Sequence, residues 1–378
     1  TTTCNYGGQP RRIGKGSRLQ RLRRSRTKCR RTTRRTRRTS DSLARLLDYR
    51  TRRKYSKKQE QPVNKTAYPA LDLSLATTTP LVNRPSKVKQ AMLADPTNYS
   101  AAGTSIDDLI PSVLKGSDLK AVANAWASAI ERGRGVILGM GAHPIKVGLS
   151  RLIIELIERG YISGFAGTGA VALHDWELAM HGHTSEEVAD GLQKGQFGMA
   201  TDTAVAYWQA VELAHRESYG LGQAVGCLLS TTTDNVAPSI LATCYECAVP
   251  TTLHVTIGAD TAHMHPGDDG SSLGRAAMRD FLVLGQLVTH LDNGGLYINL
   301  GSAVTLPEVF LKAINIARNI TGTPHKIVTA NFDMLQHYRP SQNVVDRPTQ
   351  PDGHGYRITG HHEVMFPLLY AMVRDRMK

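Results

Sequence analysis

Histidines, carboxylates and one lysine gather at a few points of this chain, each just past an apolar run. Gly139-Met140-Gly141-Ala142-His143 is followed closely by Lys146. Gly167-Thr168-Gly169 is followed by His174, Asp175 and Glu177, and a β-branched run is followed by Asp260, His263 and His265. Gly301-Ser302 and then Asn331 and Asp333 complete the series. Imidazole titrates near neutrality, so His143, His174 and His263 are candidates for general acid/base work beside Asp175 and Glu177. Lys146 is read either as an imine-forming amine or as a side chain that binds an anion or pairs with a carboxylate. Asp260, with Asp268 and Asp269, would hold a cationic amine, or else belongs to a solvated loop.

The two Gly-x-Gly turns would let a phosphate or ribose approach the backbone closely, although neither completes G-x-G-x-x-G. Asn331 and Asp333 would meet a ribose hydroxyl, or Asp333 would cap the next helix. His143, His174, His263, His265, His361 and His362 could converge with Asp175, Asp260 and Glu363 on a metal. None of them shows H-E-x-x-H or another tight ligand spacing, so no metal is expected. Singly, each histidine reads as a core residue bonded to a carbonyl. Cys244-x-x-Cys247 reads as two small residues on one helix face.

These groups need elements to carry them. Gly135–Met140, Ile162–Ala166, Thr251–Ile257, Leu296–Leu300 and Lys326–Ala330 read as strands. Lys146–Arg159, Arg275–His290 and Glu363–Met377 read as helices, several more fill Thr184–Ala248, and Pro307 sits near the start of another. Alternating strands and helices predict an α/β fold: a Rossmann-like parallel sheet with helices on both faces. Ligands in such sheets bind outside the carboxyl ends of the strands, where the residues above fall.

Of the 378 residues, 41% are apolar, enough for a substantial core. No apolar run is long enough to span a membrane. Residues 1–65 hold 23 of the 46 Lys and Arg but 3 of the 32 Asp and Glu, so the rest of the chain is mildly acidic. That basic stretch, with Arg30-Arg31-Thr32-Thr33-Arg34 at its centre, cannot build a core. It is expected to be a disordered tail, either a nucleic-acid-binding arm or a segment foreign to the native protein. Residues 66–378 form the expected catalytic domain. Five cysteines without disulfide spacing point to a reducing, cytoplasmic setting.

Several long stretches carry a resemblance. They are Gly139–Ser150, Leu173–Glu177, Gly195–Ala200, Asn299–Phe310 and Thr359–Met365. Taken in order, they make the chain from about Leu71 onward similar to the deoxyhypusine synthase family, and to its bacterial deoxyhypusine synthase-like branch. The resemblance implies a Rossmann-like NAD-binding fold and a homotetramer. It also implies transfer of an aminobutyl group from spermidine to a lysine of an acceptor protein, a translation initiation factor. It places NAD against the turns at Ala142–Lys146 and Gly167-Thr168-Gly169; Gly139, Gly141, Gly301, Ser302, Asn331 and Asp333, at the neighbouring strand ends, complete the candidate cofactor contacts. The family's amine-binding aspartates map near Gly258 and His263, with Asp260 between them, and its polyamine-site histidine near Pro307-Glu308, so both are changed here; Asp260, His265, Glu308 and His361 are the candidate substrate residues. The sequence departs at the family's imine-forming lysine, since Asp346–Gly360 contains none and Arg347 and Arg357 stay protonated.

The expected function is therefore a transferase acting on a polyamine or related amine, forming a C–N bond, with true deoxyhypusine synthesis not expected. The alternatives are a metal-assisted hydrolase on the same scaffold and nucleic-acid binding through the tail.

Overall fold

The computed structural model describes residues 105–378, apart from 233, 234, 236, 268 and 269, together with Thr77 alone. The basic tail, the expected domain boundary, Asp268 and Asp269 all lie outside the described residues.

Six strands alternate with helices. In chain order they are α1 (Leu114–Glu131), β1 (Val136–Met140), α2 (His143–Lys146), α3 (Ser150–Glu158), β2 (Gly164–Thr168) and α4 (Gly169–His181). Then come α5 (Val188–Gln193), α6 (Thr201–Glu217), α7 (Leu221–Thr231), α8 (Ile240–Glu246), β3 (Thr251–His254) and α9 (Ser271–Leu287). The chain closes with β4 (Leu296–Leu300), α10 (Thr305–Thr321), β5 (Val328–Asp333), β6 (His354–Thr359) and α11 (His362–Arg376). All strands are parallel, in the order β3-β2-β1-β4-β5-β6. This is the doubly wound arrangement, with its switch point between β1 and β4. The expected fold class is thus present.

The sheet is buried because helices cover both faces, and β1 and β4 are buried along their whole length. Successive side chains alternate between faces. Leu138, Met140 and Ile298 join Trp126 of α1, Ile153 of α3 and Phe366 of α11 in one core. Ile137 and Tyr297 join Leu284 of α9 and Phe310 of α10 in the other. Tyr297 stacks on Phe310 with ring centroids 3.7 Å apart and planes 8° from parallel. A Cβ on Gly139 would collide with the Tyr297 hydroxyl, which has no hydrogen-bond partner.

Several element expectations need correction. The predicted helix Lys146–Arg159 is two helices, because Gly148 takes φ 82° and breaks the run. The third strand stops at His254. The fifth runs on to Asp333, so Asn331 and Asp333 lie inside a strand and Asp333 caps no helix. A sixth strand, β6, was not expected; its Arg357 is paired with Asp346 at 2.6 Å.

Candidate active site

The carboxyl ends of the strands do not converge on one pocket. They divide into a hollow beside β2 and β3 and a packed crevice between β1, β4 and β5. The hollow is a cavity of about 550 Å³. One wall is the face of α4 that carries Ala170, Leu173, His174, Glu177 and His181. Those positions repeat at helical spacing, which puts them on one side. Lys146 enters from α2, and Asp202 and Thr203 from the start of α6. Asp260, Thr261 and His265 come from the loop after β3. The chain between α4 and α6 closes over the cavity with His183, Thr184, Glu186, Phe197 and Gly198.

Glu177 anchors a hydrogen-bonded set. Thr184 Oγ1–H donates to Glu177 Oε2 at 2.5 Å, and Thr203 Oγ1–H donates to Oε1 at 3.2 Å. His174 Nδ1 lies 2.6 Å from Thr184 Oγ1 and 3.5 Å from Glu177 Oε2. Burial raises the Glu177 carboxyl, but the bonds and charge of His174 and the hydroxyls of Thr184 and Thr203 outweigh it, so the group titrates below its ordinary range. Thr184 and Thr203 were not expected in the site. No spacing rule links a hydroxyl in a loop to a carboxylate on the preceding helix.

Asp260 is 8% exposed and lies against Gly169, where a Cβ would collide with its carboxylate. It accepts the Thr256 N–H at 3.1 Å. Burial raises its pKa, opposed by that bond and by His263. His265 donates from Nε2 to the Gly198 carbonyl at 2.8 Å. Lys146 is exposed and has no hydrogen bond or ion pair among the described residues.

Other expected site residues lie elsewhere. Asp175 faces away from the cavity, is 0% exposed, and accepts from Ser239 Oγ at 2.5 Å and from the Ile240 and Leu241 N–H groups at 3.0 Å each. It caps α8, so its expected catalytic role gives way to a structural one. His263 points behind the 3₁₀ turn Thr261–Met264, to Tyr207 Oη at 3.4 Å, and does not line the cavity. Glu308 is an outer residue of α10, bonded to Lys312, Asn343 and Arg339. His361 is 68% exposed in side chain and lies 3.7 Å from Glu363. Neither reaches the cavity, so their expected substrate contacts are not made there.

At the switch point the chain packs against itself. A Cβ on Gly141 would collide with the Gly301 carbonyl, and one on Gly301 (φ 69°) would lie 2.8 Å from His362 Cε1. His362 is 2% exposed and bonds through Nε2 to the Phe332 carbonyl at 3.2 Å. His143 meets its ring edge-on at 5.3 Å. Ser302 Oγ accepts the Leu306 N–H at 3.2 Å and so caps α10. Asn299 Nδ2 bridges the Ser302 carbonyl (2.8 Å) and Asn331 Oδ1 (2.7 Å), while Asn331 Nδ2 donates to Gln336 Oε1 at 2.8 Å. Asn299, a buried amide within an apolar strand, is the one signal that could have revealed this clamp.

These contacts bear on a dinucleotide. Gly139 seats Tyr297, Gly141 seats Gly301, Gly169 seats Asp260 and Gly301 seats His362. A Cβ on Gly167 would lie 2.9 Å from Leu253 and 3.1 Å from Val171. At each of these glycines an added side chain would meet the protein's own atoms. Moreover β2 ends in Thr168 rather than in an acid for a ribose hydroxyl.

Among the described residues no three His, Cys, Asp or Glu side chains are placed to hold a metal ion. Cys227, Cys244 and Cys247 are free, and burial pushes the Cys244 thiol up to about 12. No described helix is long and apolar enough to cross a membrane.

The chain matches no protein-family model, and no curated protein matches it. Among solved structures it is similar to apo ArgZ, an arginine dihydrolase of the cyanobacterial ornithine-ammonia cycle (15% identity, TM-score 0.42, covering 70% of this chain and 33% of that one). It is similar to AgrE in its ternary complex with ornithine and NAD+ (16%, TM-score 0.45, covering 68% and 32%). It is also similar to a provisionally named deoxyhypusine synthase from Entamoeba histolytica (12%, TM-score 0.41, covering 72% and 94%). The chain spans about a third of the length of the first two.

Proposed function

We propose that this protein is an enzyme acting on a polyamine or related small amine, bound in the α4–α6 cavity, and that it transfers a group to or from an amine nitrogen. One observation carries the reading: Glu177, Glu186, Asp202 and Asp260 line a single cavity in which, among the described residues, Lys146 is the only Lys or Arg. A cationic amine is the ligand such a lining favours. The ammonium would sit between Glu177 and Asp260. His174 would take the ammonium proton at Nε2 and leave the amine nitrogen its lone pair.

Lys146 is given no covalent role here. If it formed an imine, borohydride would trap substrate on it. Without the family's lysine the protein should not make deoxyhypusine, so labelled spermidine, NAD and the precursor factor should leave the factor unlabelled. NAD has no step in this reading. A homotetramer and a reducing, cytoplasmic setting complete the reading.

Calorimetric titration with spermidine and putrescine tests the proposal. Glu177→Gln should weaken binding roughly 10- to 100-fold, as the loss of one hydrogen bond to a charged group would. No binding at millimolar amine, or equal binding by the variant, would refute it.

A further inference from the structure

Thr184 occupies an unusual place. It belongs to the arm 183–199, between α4 and α6, yet its hydroxyl lies inside the set built on α4. The proton positions follow from valence. Glu177 titrates low and as a carboxylate can only accept, so the single Thr184 hydroxyl proton goes to it. Thr184 Oγ1 therefore accepts from His174, and His174 carries its proton on Nδ1. Nε2 is left as the lone-pair nitrogen of a ring that lines the cavity.

The arm itself is held at few points. It leaves α4 at Gly182 (φ 73°) and approaches α6 through Gly198 (φ 70°), two left-handed turns that suit glycine. At its far end His265 bonds the Gly198 carbonyl, and Glu186 accepts the Gly198 N–H at 2.8 Å. At its near end Thr184 is the clasp. Leu192 of the arm is exposed.

We infer that Thr184 is a positioning residue: seating the arm supplies the hydroxyl that fixes His174 as the Nδ1–H tautomer, so closing the cavity and readying its base are one event. The functional meaning rests on the amine-site reading above, but the link between hydroxyl and ring does not, and it can be read on the ligand-free protein.

The test uses the full chain at about pH 8, where an ordinary imidazole is neutral. Histidine-ring 1H–15N spectra are recorded for wild type, Thr184→Ser and Thr184→Val, with the His174 signals assigned by their loss in His174→Gln. Wild type and the Ser variant should show Nδ1–H, and the Val variant should lose that signature. Trypsin cleavage after Lys194, in the arm, should quicken in the Val variant and not in the Ser variant. If Val does not fold, Thr184→Ala takes its place. Retention of Nδ1–H in the Val or Ala variant overturns the inference, as does an Nε2–H ring in wild type. A tautomer change without faster cleavage also overturns it, because ring and arm would then be independent. Failure of amine binding alone would sink only the earlier reading.

Discussion

Replacing Asp175 with alanine separates a cap from a catalyst. The carboxylate is fully buried and receives one hydroxyl and two backbone N–H groups at the start of α8. Removing it orphans those buried donors, at about 1–3 kcal/mol each. Part of that loss is offset, because burial already opposes the ionised form and pushes its pKa upward. A net loss of about 3 kcal/mol is therefore expected for Asp175→Ala. Asp175→Asn should lose less, since its carbonyl oxygen can still accept one of the bonds. For a domain of this size that loss corresponds to a fall in Tm of roughly 6–12 °C. Thermal and urea unfolding would measure it, with spermidine titration on the same samples. Amine affinity should be unchanged below the melting range, because Asp175 does not line the cavity. A Tm within about 2 °C of wild type, coupled with lost binding, would show that the residue serves the ligand and that the cap assignment is mistaken.

Two further predictions concern buried carboxylates. Burial pushes Asp280 up to about 7, against the N–H groups of Leu253 and Gly222 that favour its ionised form. The folded protein then holds a proton that the unfolded chain gives up near 4, so Asp280's contribution is fully present below about 4 and is lost as pH rises toward 7. Urea unfolding across that window should show this slope, and Asp280→Asn should flatten it; an unchanged slope would contradict the burial assigned to this group. Gly169→Ala would drive a methyl into the Asp260 carboxylate, at about 1–3 kcal/mol, and should weaken amine binding together with stability. Equal affinity in that variant would show that Asp260 does not help to hold the ligand.

The strands that proved easiest to read were those buried on both faces. Val136–Met140 and Leu296–Leu300 are near-continuous apolar runs, and burial is what such runs report. β6 was illegible because His354-Gly355-Tyr356-Arg357 carries no such run; its place at the sheet edge comes from pairing with β5 and from Arg357 meeting Asp346. The site was half legible. Of the polar residues placed at strand ends, the cavity brings together Lys146, His174, Glu177, Asp260 and His265. That placement could not tell which side of a turn each would take. His263 and His265 are two residues apart, yet only one lines the cavity. Asp175 and Glu177 are likewise two apart on a helix, where such a spacing points to different faces. The glycines are ambiguous for a related reason. A missing side chain shows that something approaches closely, and here that something is the protein itself.

The opposite orientations of Asp175 and Glu177 make α4 a partition between two mechanical regimes. Behind it, a carboxylate rivets the helix to α8; in front, a hydroxyl latch is all that ties the arm to Glu177. Motion should therefore change abruptly within a few residues. Backbone amides up to His181 should exchange with solvent slowly, and those just past Gly182 quickly, so that the enclosure can open repeatedly while the wall bearing its proton acceptor stays still.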